Sequence, residues 1–168
     1  MQSAQTGSDE VDRIVDAWQV QRPDLDFSPL KVLSRVDRLS RHLDHARKSA
    51  FRRSELAPWE WDVLSALRRA GEPFQLSPKQ LLQQTLVSSG TMTNRIDRLV
   101  ERGLVHREAD PEDGRSVLVT LTDQGRTRVD AAITRLVDAE SELLSAISGS
   151  DQDRLAGLLR KLSIGFDG

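Results

Sequence analysis

The sequence predicts a mainly helical fold with a small β-wing, in which a winged helix-turn-helix is flanked by N- and C-terminal helices. Two short helix patterns with separate start signals meet at a polar turn within residues 77–102, and two strand patterns follow around a polar tip. Long amphipathic patterns before and after this segment carry more apolar surface than one small winged module can cover. A homodimer is the simplest way to bury that surface.

Helix start and stop signals give the order of the elements. Residues 1–7 are a predicted disordered tail, and three helices follow before residue 72. The first is predicted to run from Ser8 to Pro23, the second from Ser28-Pro29 to about Arg52, and the third from Pro58 to Gly71.

The helix-turn-helix begins at Ser77-Pro78, where Gln80 completes a capping box. Ser88 is the predicted cap of its second helix, which Gly103 ends. Strands are predicted over residues 104–107 and 117–121. The remaining predictions are a helix from the cap Thr122 to about Ser148, a break at Gly149-Ser150, and a last helix over 151–163.

The second helix of the pair has the chemistry of a helix that reads a DNA groove. Met92, Ile96 and Leu99 face inward, and small hydroxyls, Asn and Arg occupy the other face. Arg and Asn are suited to bidentate contacts with guanine and adenine, and the start of a helix favours phosphate. An ordinary surface helix is the alternative, although such helices usually contain more Glu and Lys. The predicted DNA-binding residues are Ser88, Ser89, Thr91, Thr93, Asn94, Arg95 and Arg98.

The tip between the strands, residues 110–115, permits two interpretations. Its Pro, Asp and Gly residues are typical of a plain β-turn. Alternatively, Arg115 enters a narrow minor groove, and Asp113 orients the guanidinium by a charge-assisted hydrogen bond. We include both residues among the predicted DNA contacts.

This region resembles the wing of the MarR family of bacterial repressors, which has an acidic turn with Pro, then Asp-x-Arg, apolar strand positions and Leu-Thr-x-x-Gly. The Ser88–Arg102 segment resembles the recognition helix of that family, and the similarity extends from about Leu30 to the C-terminus. Gly114 stands where many members have Arg. The matching wing residues are Asp110, Pro111, Asp113, Arg115, Val117, Val119, Leu121, Thr122 and Gly125.

The resemblance implies a single MarR-like domain over residues 8–168, with dimerisation helices in 8–56 and 123–168 and a DNA-binding lobe in 57–122. It also implies a homodimeric repressor on a pseudo-palindromic operator. Half-sites for such a dimer lie one duplex turn apart, about 34–36 Å.

A helix before Leu30 adds to the usual family plan. This chain resembles a branch of the family that responds to urate. That branch shares the added helix with a Trp in it, an Asp in the second core helix, one Arg in the recognition helix and one Arg in the following strand. This implies release of DNA by a small anionic aromatic ligand such as urate, since Trp can stack on a flat ring and guanidiniums bind anions. The implied ligand-binding residues are Trp18, Asp62, Arg95 and Arg107.

Plainer interpretations of these four residues stay open. Trp18 could only dock its helix, Arg95 could only contact DNA, Arg107 could brace the wing, and Asp62 could pair with another base. A phenolic ligand, another purine or no ligand are alternatives to urate. A winged-helix module that binds protein is the main alternative function.

Composition and charge exclude other classes. The 168 residues carry a net charge of −2, with eight basic and two acidic residues between Lys31 and Arg53, a pattern also typical of a solvated helix. There is no cysteine, and His42 and His45 are more simply structural than pH-sensing. The sequence shows no catalytic constellation, metal cluster, membrane span of ~20 residues or signal peptide. We expect a cytoplasmic protein that is not an enzyme and has no cofactor.

Overall fold

A computed structural model describes residues 7–85, 87–111 and 116–166. It is mainly helical with one small antiparallel sheet, which confirms the predicted fold class. The chain divides into two compact units, residues 1–45 and 46–168, which are considered separately below. Residues 1–6 of the predicted tail lie outside the described residues, as do Asp113 and Arg115.

The first unit contains α1 (Glu10–Gln21) and the greater part of α2 (Ser28–Arg53). Val11 and Val15 of α1 are buried. Three ion pairs join the two helices, and all lie near the start of α1. They are Arg35 with Asp9 at 2.8 Å, Arg35 with Asp12 at 2.8 Å, and Arg38 with Glu10 at 2.7 Å.

Two predicted helix caps in this unit, Ser8 and Ser28, are wrong. Asp9, not Ser8, caps α1, because its carboxylate accepts from Asp12 N–H and the Asp12 carboxylate accepts from Asp9 N–H. Ser28 is inside α2 and does not cap it. The carboxylate of Asp26 accepts hydrogen bonds from both the N–H and the hydroxyl of Ser28.

The second unit contains the predicted helix-turn-helix, wing and C-terminal helices. Capping contacts confirm the predicted starts at Ser77 and Ser88, where each hydroxyl accepts a backbone N–H three residues later. The elements are α3 (Pro58–Arg69), β1 (Gln75–Leu76), α4 (Pro78–Thr85), α5 (Ser89–Glu101), β2 (Val105–Ala109), β3 (Val117–Leu121), α6 (Asp123–Leu144), α7 (Gly149–Ser163) and a 3-10 turn (Ile164–Phe166).

The sheet has three strands in the order β1-β3-β2, so the predicted two-stranded wing is incomplete. The missed strand, β1, has two residues, and Gln75 and Leu76 pair with Thr120 and Val119 of β3. A two-residue strand is too short to show a period in the sequence. It anchors the wing to the segment just before α4.

The core of the second unit lies between α3, α5, the sheet and α6. Leu64, Leu67, Leu99 and Val119 are fully buried, as are other aliphatic side chains from each of these elements. Recognition-helix residues predicted to face inward, Met92, Ile96 and Leu99, all belong to this core. α5 is therefore fixed on its apolar face and exposed on its polar face.

The last two helices keep large apolar side chains exposed. α7 has no buried residue, although all of its residues are described. The predicted break at Gly149-Ser150 is wrong, because α7 begins at Gly149 with Ser148 as its cap. The chain interrupts its helices at residues 145–148 instead. The exposed apolar residues of this region are Ile133, Val137, Leu143, Leu144, Ile147, Leu155, Leu158, Leu159, Leu162, Ile164 and Phe166.

Candidate nucleic-acid interface

The start of α5 is organised by its own small hydroxyl side chains. The Ser88 hydroxyl accepts from Thr91 N–H at 3.4 Å and lies 2.9 Å from the Thr91 hydroxyl. The Thr93 hydroxyl donates to Ser89 O at 3.2 Å. Ser88, Ser89, Thr91 and Thr93 are all exposed. The start of the helix is thus capped and still presents short polar groups to solvent.

The larger side chains predicted to contact DNA differ in their surroundings. Asn94 and Arg98 are exposed. Arg95 is partly buried, and its guanidinium carbon lies 5.8 Å from the ring centre of Trp59 on α3. Among the described residues, no hydrogen-bond partner meets its buried Nη1 atom. The guanidinium of Arg95 therefore packs near Trp59 and keeps one N–H donor group without a hydrogen-bond partner among the described residues.

Asp62 on α3 interacts electrostatically with Arg95. Burial raises the pKa of the Asp62 carboxyl above its ordinary value, and the positive charge of Arg95 opposes that change. Asp62 also lines a cavity of about 250 Å³ at α3 and α4, with Trp61, Ser65, Arg69, Gln84 and Thr85. The structure thus brings together two of the four predicted ligand-binding residues.

Arg107 on β2 has a different partner. Its guanidinium lies 2.7 Å from the Asp97 carboxylate and 3.5 Å from Thr93 O, so it ties the wing to α5. Thr93 and Asp97 are one helical turn apart, and Arg95 projects about 200° away from each of them around α5. The guanidiniums of Arg95 and Arg107 therefore lie on different sides of the helix.

The other predicted residues are at the tip and in the first unit. Asp113 and Arg115 fall outside the described residues. At the base of the tip, Asp110 N–H donates to Ser116 O at 2.9 Å. Trp18 is half exposed on α1, and its ring stacks 6.3 Å from that of Phe27 within the first unit.

Sequence reasoning missed the contact that fixes the end of α5. Glu60, only 2% exposed, accepts from Ala57 N–H at 2.8 Å and from Arg102, the residue that closes α5. Arg102 also donates to Glu55 O at 2.8 Å, and Arg128 of α6 donates to the same oxygen at 3.3 Å. The sequence offered one signal, a Glu at the third position of the helix that begins at Pro58.

Glu55 supports this contact through its backbone conformation. Its φ of +54° lies in the left-handed region, which a non-glycine residue adopts at some cost. This geometry turns the Glu55 carbonyl toward Arg102 and Arg128, and the Glu55 carboxylate also pairs with Arg128 at 2.8 Å. Helices α3, α5 and α6 are joined at one point.

Comparison with known proteins identifies the family. The sequence model of the MarR family matches residues 54–116. The HTH-type transcriptional regulator PecS of Dickeya dadantii (strain 3937) is 35% identical over 153 residues, 91% of this chain and 92% of that protein. The chain belongs to the MarR family. It is a DNA-binding transcriptional regulator of that family and not an enzyme.

Other relatives and solved structures agree with this assignment. The repressor NicR of Pseudomonas putida is 28% identical over 82% of this chain and 88% of its own length. Apo MarR from E. coli has a TM-score of 0.65 and 25% identity, over 78% of this chain and 96% of that one. BpsR of Bordetella bronchiseptica, whose DNA binding is regulated by 6-hydroxynicotinic acid, has a TM-score of 0.64 and 28% identity, over 83% and 96%.

The described part of this MarR-family chain contains no helix with the length and apolar character to cross a membrane.

Proposed function

We propose that this chain is a homodimeric repressor that binds a pseudo-palindromic operator through α5 and the wing, and that a small anionic aromatic ligand such as urate releases it. The observation that carries the proposal is the polar face of α5. Asn94 and Arg98 are exposed there, beside a capped helix start with small hydroxyls. A helix of this kind supplies base contacts and phosphate contacts together.

The apolar surface of the last two helices supports the homodimer. Leu155, Leu158, Leu159 and Leu162 occupy neighbouring turns of α7, and each is at least 39% exposed. Full burial of an exposed Leu contributes about 1.5–3 kcal/mol, and these side chains are already about half buried, so covering the remainder contributes about 1 kcal/mol each. A second copy of the chain offers the same face and closes a symmetric contact.

The DNA half of the proposal is tested with duplexes selected by the protein from a random-sequence library. We expect one palindromic sequence whose half-sites are about 34–36 Å apart, bound with an affinity that falls steeply with salt. Arg98→Ala should weaken this binding. Arg115→Ala should also weaken it, while leaving ligand binding unchanged. A folded dimer that selects no duplex at low salt would instead indicate a protein-interaction module.

The ligand half of the proposal is supported by the Asp62–Arg95 pair. The carboxylate of Asp62 is partly desolvated and interacts with the guanidinium of Arg95, so an arriving anion would compete with it for Arg95. Among the relatives, BpsR is a protein whose DNA binding is regulated by 6-hydroxynicotinic acid. The proposal requires Arg107 to leave Asp97 and to move around α5 toward the side of Arg95, and it assigns stacking on the ring of the ligand to Trp18.

Calorimetric titration of urate into the dimer tests this half directly. We expect saturable binding that Arg107→Ala and Trp18→Phe weaken. If both variants bind urate as the wild type does, the four-residue site is wrong. A salicylate-type phenol serves as the comparison ligand, since stronger binding of the phenol would favour the phenolic alternative.

A further inference from the structure

The link between α2 and α3, residues 54–57, closes the last turn of α2 with two backbone hydrogen bonds. Leu56 N–H donates to Phe51 O at 2.9 Å. Glu55 N–H donates to Arg52 O at 3.0 Å. This pair of hydrogen bonds is the Schellman arrangement, in which the residue after the cap is left-handed and usually glycine. Glu55 occupies that position with φ of +54°.

The Glu55 carbonyl accepts hydrogen bonds from two different helices. Arg102, which closes α5, donates to it at 2.8 Å, and Arg128 of α6 donates to it at 3.3 Å. Arg135, two turns further along the same face of α6, donates to the Ser54 hydroxyl at 2.9 Å. One short segment of backbone thus holds both the end of α5 and two turns of α6.

The two helices have different roles in the proposed function. α6 keeps Ile133 and Val137 exposed, and these residues belong to the apolar surface assigned to the second copy of the chain. α5 presents its capped, polar start to DNA, and Arg102 holds its other end. The link between α2 and α3 therefore lies between the dimer contact and the DNA contact.

The length of α5 converts a small rotation into a base-pair step. Its 13 residues span about 20 Å at about 1.5 Å per residue. A rotation of about 10° at Arg102 therefore moves the start of the helix by about 3 Å. The rise of one base pair is about 3.4 Å. In a symmetric dimer both copies of α5 move, so the angle at the link decides which distance between half-sites fits.

We infer that Glu55 is a positioning residue, and that the direction of its carbonyl group sets the half-site spacing accepted by the dimer. The inference rests on the proposed homodimer and its palindromic operator. A left-handed Glu55 directs this oxygen toward Arg102 and Arg128 together, whereas a right-handed or extended residue directs it elsewhere. The base contacts of α5 then stay the same, but the distance between the two copies of α5 is less defined.

Two substitutions at one position separate the role of the carbonyl from that of the carboxylate. Glu55→Asn and Glu55→Val both remove the negative charge that pairs with Arg128. Asn adopts the left-handed region more readily than most residues, whereas a β-branched residue there is a conformational outlier. Glu55→Asn is therefore the matched control, and Glu55→Val changes the direction of the carbonyl.

The experiment compares the full-length dimers on the operator selected by the wild type and on duplexes whose spacer is one base pair shorter or longer. Wild type and Glu55→Asn should lose at least about 10-fold in affinity for each change, since a rigid dimer must then deform the duplex. Glu55→Val should lose less than about threefold. A duplex with a single half-site should bind all three proteins equally, because the contacts of α5 are unchanged.

A second pair of variants perturbs the same link from α6. Arg128→Gln removes both contacts with Glu55, so it should broaden the accepted spacing as Glu55→Val does. Arg126→Gln is the matched control, because it removes the same charge from the same helix and its ion pair with Asp123 lies within α6. This pair decides the outcome if Glu55→Val does not form a folded dimer.

The outcomes separate this inference from the proposed function. If Glu55→Val and Arg128→Gln keep the sharp spacing preference of the wild type, the inference alone is overturned. An equal loss of affinity at every spacing also overturns it, since a merely structural role has that effect. Broadening by Glu55→Asn as large as that by Glu55→Val overturns the role of the carbonyl. A wild type that selects one half-site without a second overturns the homodimeric operator and this inference together.

Discussion

Among the described glycines, Gly125 is the one at which an added Cβ would meet the shortest contact. It is the third residue of α6 and is buried, and a Cβ there would lie 2.1 Å from Leu104 O and 2.9 Å from the Leu121 side chain. The same Leu104 carbonyl accepts the N–H of Thr122 at 3.1 Å. Gly125→Ala therefore pushes on a hydrogen-bonded backbone oxygen and not on a flexible side chain.

The magnitude follows from the distances. The Cβ and the Leu104 oxygen must separate from 2.1 Å to at least 3.0 Å, so the junction between β2 and α6 must shift by about 0.9 Å. Overpacking costs about 1–3 kcal/mol and the strained hydrogen bond about 1 kcal/mol, while alanine regains about 1 kcal/mol of helix propensity. We expect a net loss of about 1–3 kcal/mol.

The assay is thermal unfolding followed by circular dichroism at one fixed protein concentration, because a dimer's midpoint depends on concentration. A loss of about 1–3 kcal/mol lowers the midpoint by roughly 2–12 °C in a chain of this length. Gly90→Ala is the control, since a Cβ at that helical position meets nothing within 4 Å. It should leave the midpoint unchanged or raise it. A Gly125→Ala protein that melts within 1 °C of wild type would refute the close-approach reasoning.

Three further predictions concern charged side chains of the second unit. Glu60→Gln keeps an acceptor for Ala57 N–H but removes the charge facing Arg102, so chemical denaturation should show a loss of about 1–2 kcal/mol, and no loss would contradict the joint between helices. Burial raises the pKa of Asp62, so the ionised carboxylate destabilises the folded state above the raised pKa and has no such effect below the ordinary value of 3.8. Asp62→Asn should therefore stabilise the protein at pH 7 but not at pH 3. Equal effects at both pH values would contradict the raised pKa of Asp62. Asp97→Ala should change stability by less than about 1 kcal/mol because its ion pair with Arg107 is exposed. It should nevertheless strengthen DNA binding at low salt, because it removes a negative charge from α5, and unchanged DNA binding would count against the assignment of α5 as the DNA-binding helix.

Local signals in the sequence predicted most of the element boundaries. Ser77-Pro78 with Gln80, Ser88 and Thr122 each start a helix where expected, because a cap depends on hydrogen bonds within four residues. Gly103 ends α5 with φ of +67°, a conformation that glycine adopts without strain. The fold class followed from the order of these elements.

Errors arose where two local solutions compete or where partners are distant. Ser8 and Asp9 are both capping residues, and only the reciprocal contact with Asp12 distinguishes them. β1 exists because Gln75 and Leu76 pair with β3, more than 40 residues away. The sequence near residue 75 contains no trace of that partner.

The candidate site shows the same division. The residue types on the polar face of α5 and their approximate spacing were readable, and so were the residues that resemble a urate site. Their neighbours were not, since Trp59 beside Arg95, Asp97 beside Arg107 and Glu60 beside Arg102 depend on how three elements pack.

The sequence by itself determined that this chain is a winged helix-turn-helix with a polar recognition helix and apolar terminal helices, because caps, glycine stops and hydrophobic periods act over one or two turns. Only the tertiary structure decided which arginine side chains form ion pairs and which keep a donor without a partner. Arg102 and Arg107 are satisfied by Glu60 and Asp97, whereas Arg95 keeps a buried donor without a partner among the described residues. The physical reason is that the satisfaction of a charged group depends on contacts across the fold, and these do not follow from the order of residues along a helix.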